Sequence, residues 1–64
     1  MTLIYKGMYY DCYFNSVMYV IVNKALEHEE VFVETMPSAI SQCRAMNAVM
    51  HEIVKSNDEG LVVL

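Results

Sequence analysis

Two histidines and two cysteines are the side chains of this 64-residue chain best suited to metal or nucleophilic chemistry. His28 sits in the run Glu27-His28-Glu29-Glu30, and His51 is followed by Glu52. Imidazole and carboxylate together suit a divalent cation, but a site needs spacing that brings several donors to one point. The sequence holds no Cys-x-x-Cys pair and no His-Glu-x-x-His, so both histidines read as solvated. A nucleophile would need a base and an orienting group beside it. Cys43 instead falls on the apolar arc of an expected helix and Cys12 on an alternating strand, where thiols act as small buried hydrophobes. Glycine occurs only at positions 7 and 60, which leaves no glycine-rich phosphate loop. No catalytic residue, metal ligand or cofactor is expected, and the chain reads as a non-enzyme.

Composition narrows the remaining classes. Hydrophobic residues make up 56% of the chain against a net charge of −4, the opposite of the balance in disordered proteins. The cations Lys6, Lys24, Arg44 and Lys55 are scattered and form no basic stripe, which argues against nucleic-acid binding. The uncharged stretch from Cys12 to Asn23 carries Asn15 and Ser16 and is too short to span a bilayer, so no membrane role is expected. Met1 to Tyr5 lacks a basic start, and no secretory cleavage pattern follows. A reducing, cytoplasmic setting with free thiols is the expectation.

These residues must be held by a single small domain. Thr2 to Tyr5 is β-prone, Lys6-Gly7 supplies a turn, and Met8 to Phe14 reads as a strand. Asn15-Ser16 is a candidate two-residue turn, without the glycine of the strongest hairpin signals. Two readings of the next stretch stand. Four of the six residues from Val17 to Val22 are β-branched, which favours a strand. Yet Val17, Ile21 and Ala25 are also spaced for a helix over 16–29, with Ser16 as its cap. Val31 to Glu34 reads as a further strand. Thr35 is a good N-cap and Pro37 suits a first turn, so a long helix should run from about 36 to 56. Met36, Ala39, Ile40, Cys43, Met46, Met50, Ile53 and Val54 share one arc of it. Asn57 to Gly60 should end that helix, and Leu61 to Leu64 should return as a short C-terminal strand. The expected fold is α+β: an antiparallel meander of three to five strands with the helix packed on one face.

All five tyrosines fall within the first nineteen residues, and the segment from Met8 to Val22 is apolar on both faces. One helix covers one face of a sheet. The other face should present either Tyr9, Tyr13, Tyr19 and Ile21 or Tyr10, Phe14, Met18 and Val20, according to register. Tyrosine and methionine are enriched at the buried centres of interfaces, so this face is the candidate contact surface. Tyr9, Tyr13 and Tyr19 are its expected anchors. Glu27, Glu29 and Glu30 are expected beside it as an acidic patch that steers docking to a basic partner. The partner is expected to be another protein or a second copy of the chain.

The run Val31-Phe32-Val33-Glu34-Thr35, the capped helix with Ala39 on its inner side, and Gly60-Leu61-Val62-Val63 resemble the layout of small acidic bacteriophage proteins. Such proteins bind and inhibit host enzymes or defence factors. The resemblance covers the C-terminal half and implies a non-catalytic binder or inhibitor, with no residue role carried over.

Overall fold

A computed structural model describes residues 1–63 of the chain, with side chains through Asn57. Four strands follow one another, β1 (Thr2–Lys6), β2 (Tyr10–Phe14), β3 (Tyr19–Asn23) and β4 (Glu30–Val33), and one helix, α1 (Met36–Val63), completes the fold. The strands pair antiparallel in the order β1-β2-β3-β4, so the sheet is a simple meander with α1 on one face. The α+β class is as the sequence indicates.

Asparagine side chains build both hairpin loops on either side of β3. Between β2 and β3, the Asn15 N–H donates to the Met18 carbonyl at 3.0 Å. The Asn15 side-chain oxygen accepts from the N–H groups of Val17 (2.9 Å) and Met18 (2.8 Å). The turn therefore centres on Ser16-Val17, one residue later than the Asn15-Ser16 turn that the sequence suggests. Ser16 takes φ 80°, a left-handed conformation that glycine adopts more readily. Between β3 and β4, the Asn23 side-chain oxygen accepts from Ala25 (2.9 Å) and Leu26 (3.1 Å), closing a tight loop rather than extending a helix. The strand reading of this region is the one realised, and no helix forms over 16–29.

Thr35 holds the N-cap position of α1, its carbonyl accepting the Ala39 N–H at 3.0 Å. The buried core is small: Cys12 and Ile21 from the sheet meet Ala39 and Cys43 from the helix. Tyr10, Tyr19, Val31, Val33 and Met46 pack around them. A register irregularity between Leu3 and Tyr5 places both Ile4 and Tyr5 on this side. The helix passes through Gly60 and continues to Val63, so the break at 57–60 and the strand at 61–63 are not formed, and Leu64 lies outside the described residues. A glycine within a helix costs only about 1 kcal/mol, which flanking helical turns can offset.

Asn47 ties helix to sheet. Its side-chain oxygen accepts the N–H groups of Tyr9 (2.7 Å) and Tyr10 (3.0 Å). Its amide nitrogen donates to the carbonyls of Tyr10 (3.1 Å) and Cys43 (2.8 Å). Gly7 lies against this amide, and a Cβ there would collide with both the Asn47 amide and the Tyr10 carbonyl. Removing the amide leaves part-buried backbone groups unpaired, so Asn47→Ala should destabilise the fold by about 3 kcal/mol, read as a lower midpoint in urea unfolding. Ser16→Gly should instead raise the midpoint, by relieving about 1 kcal/mol of left-handed strain.

Candidate functional site

Residues directly opposite one another on antiparallel strands share a face. The register pairs Cys12 with Ile21, Ile21 with Val31, Phe14 with Tyr19 and Tyr19 with Val33, and these lie under the helix. The uncovered face consequently carries two cross-strand rows. One runs Leu3–Tyr13–Val20–Phe32, the other Lys6–Asp11–Val22–Glu30. Val20 sits in the middle of the first row, flanked by Tyr13 and Phe32. It is only 1% exposed although no helix lies above it. Phe32 at the edge is 56% exposed, and Leu3 is also exposed. Adjoining the rows, Met1, Asp11, Tyr13, Val22, Lys24, Glu27 and Glu30 line a shallow concavity of ≈ 490 Å³.

The structure divides the six residues singled out from the sequence. Tyr13, Glu27 and Glu30 come together at this concavity. Tyr19 does not: it faces the helix, packs against the core and lies 4.8 Å, ring centre to ring centre, from Phe14. Tyr9 precedes β2, and its ring lies 6.5 Å from that of His51 on the helix side. Glu29 donates its backbone N–H to the Leu26 carbonyl and lines a different depression, with Tyr10, Ile21, His28 and Met46. Neither of the two tyrosine sets expected for the open face survives intact. The four-residue loop held by Asn15 pairs odd-numbered residues of β2 with even-numbered residues of β3, so Tyr13 joins Val20 while Tyr19 and Ile21 turn inward.

Three residues of this surface escaped the sequence reading. Phe32 and Leu3 belong to edge strands too short for alternation to assign a face. Asp11 is only 9% exposed, a burial that no local signal in the sequence marks. Its carboxylate accepts the Gly7 N–H at 3.0 Å, which holds the β1–β2 turn beneath the concavity.

Among the described residues, no three His, Cys, Asp or Glu side chains come together as a metal site, and no helix is long and apolar enough to cross a membrane. Cys12 and Cys43 are free thiols, both fully buried. Burial pushes the Cys43 thiol up to about 11, helped by negative charge at Cys12 and Asp11 and opposed by the hydrogen bond with Asn47. Burial raises the Cys12 thiol as well. Arg44 follows Cys43 in sequence, yet it is exposed while Cys43 points inward, so the cation does not activate the thiol. No protein-family model matches the chain, and no curated protein or solved structure matches it either.

Both thiols should resist alkylation in the native protein near neutral pH and react once urea unfolds it. The raised thiols also set a pH dependence. An unfolded cysteine ionises near its ordinary value of 9.0, whereas folded Cys43 holds its proton to about 11. The contribution of this group to stability is therefore complete below pH 9 and declines as pH rises from about 9 to 11. Urea melts across that range should show a falling midpoint, with a shallower fall in Cys43→Ala.

Proposed function

We propose that this chain is a non-catalytic protein-binding module whose contact surface is the uncovered sheet face. The observation that carries this reading is the row Leu3–Tyr13–Val20–Phe32, apolar from edge to edge on the side of the sheet that no helix covers. A monomer gains nothing from leaving a phenylalanine and a leucine in water beside an already dry valine. A partner that covers the row removes apolar area at about 25 cal/mol per Å². Tyr13 and Phe32 are the aromatic anchors in this reading, the residue types that dominate interface energetics. Glu27 and Glu30 stand with Lys24 around the adjoining concavity, and the two glutamates suit a partner with a basic rim around an apolar centre.

The small size, the net charge of −4 and the pattern resemblance to phage-encoded inhibitors support a more particular version. In it the module acts in the cytoplasm as a modulator of a host or defence protein. Affinity capture from the host cell, with mass-spectrometric identification, tests both versions. Tyr13→Ser combined with Phe32→Ser should abolish capture while the circular dichroism spectrum is retained, because neither residue belongs to the buried core. Replacing Glu27 and Glu30 by Gln should slow association and flatten its salt dependence, with little effect on dissociation. Undiminished capture by the double serine variant would count against this surface.

A further inference from the structure

The sheet occupies one side of α1 and leaves an apolar stripe on another. Ala39, Cys43 and Met46 turn toward the core, and Asn47 extends that line with its hydrogen bonds to the sheet. At about 100° per residue, Val49 stands about 120° around the helix from Cys43. Val49 is 59% exposed, and Ile53, one turn further on, is 49% exposed. The 28 residues of the helix run about 42 Å, against about 17 Å for a five-residue strand, so its later turns pass beyond the sheet. Gln42, Ala45, Val49, Ile53 and Ser56 recur at spacings of three and four residues and share one exposed stripe. Two shallow hollows lie along it. One is walled by Gln42, Ala45, Met46 and Val49, the other by Ala48, Val49, Glu52 and Ser56, and Ile53 borders both.

This stripe is its own complement when reversed about Val49. Val49 then faces Val49, Ile53 faces Ala45, and Gln42 faces Ser56 at either end. The branched Ile53 side chain meets the hollow beside an alanine, as interdigitating helix surfaces require. Charge agrees with the same arrangement. Glu52 lies on one flank of the stripe, and reversal brings it within about 3 Å of helical rise of Arg44 in the other copy, on the same flank. The net charge of −4 does not oppose this contact locally. Of the eight carboxylates only Glu52 falls between residues 36 and 57, where Arg44 and Lys55 also stand.

We propose that a second copy of this chain covers the stripe, the two α1 helices packing antiparallel about a two-fold axis beside Val49. The contact is isologous, so one patch serves both copies. Each copy contributes roughly 500 Å², giving about 1,000 Å² in all, the lower limit of a specific interface and the size of a readily reversible one. Because the stripe stands a third of a turn from the core line, the open sheet face of each copy remains uncovered. The pairing does not depend on the function proposed for that face.

Sedimentation of the purified full chain from roughly 10 µM to 1 mM should show the mean mass climb from one chain toward two. Val49→Arg, which sets two cations against each other at the axis, should weaken association about tenfold. Arg44→Glu and Glu52→Arg should each weaken it about fivefold, and the two together should restore it. All three positions are exposed, so the circular dichroism spectrum of each variant should match that of the parent. The Tyr13→Ser, Phe32→Ser variant should associate as the parent does. A chain that stays monomeric at the highest concentration overturns the proposal. So does association that survives Val49→Arg, or that fails to return in the double charge variant, because the helices would not then pair in this direction. Loss of association in the Tyr13/Phe32 variant would assign self-contact to the sheet face and would overturn it equally.

Discussion

One side chain holds the two layers in register. Asn47 uses its carbonyl oxygen for two backbone N–H groups at the entry to β2 and its amide nitrogen for two carbonyls, one on the sheet and one on its own helix. An apolar core of Cys12, Ile21, Ala39 and Cys43 is too small and too smooth to prescribe how the helix lies across the sheet. Hydrophobic contact is non-directional, whereas four hydrogen bonds to one planar amide define a position and an angle. Fixing that angle also decides where the helix leaves the sheet and which way its remaining turns project. Gly7 belongs to the same arrangement, because any larger residue would push the β1–β2 turn off the amide.

The asymmetry of the molecule follows from its size. Four short strands and one helix form two layers, so one sheet face is covered and one is not. That face is not a conventional wet surface. Val20 is shielded by its strand neighbours, and Asp11 is buried with its carboxylate occupied by a backbone N–H. One of its two rows is thus dry at its centre and apolar at both edges, while the other ends in the exposed Lys6 and Glu30. Burial also keeps both cysteines away from solvent. Their thiols sit in the core with their protons held, remote from the conditions of a nucleophile.

Where local chemistry dictates structure, the sequence was a reliable guide. Thr35 and Pro37 mark the start of the helix because an N-cap and a first-turn proline act through neighbouring backbone groups alone. The β-branched run at 17–22 signals a strand for the same reason. The end of the helix was not legible, since Gly60 can terminate a helix or sit within one according to its surroundings. Asn47 was silent as well. An asparagine on a helix gives no sign that it faces a turn nearly forty residues earlier in the chain.

The register of β3 marks the boundary between the two kinds of information. Composition and alternation pointed to an N-terminal sheet covered by one amphipathic helix, and nominated Tyr9, Tyr13, Tyr19, Glu27, Glu29 and Glu30 for contact. They did not determine which tyrosines share a face with Tyr13. A one-residue shift exchanges the faces of a strand, and that shift depends on the loop the Asn15 side chain closes. Tertiary structure turned Tyr19 inward, brought Phe32 and Leu3 beside Tyr13, and carried the helix beyond its own sheet. Each outcome depends on contacts between segments distant in sequence, which local propensity does not encode.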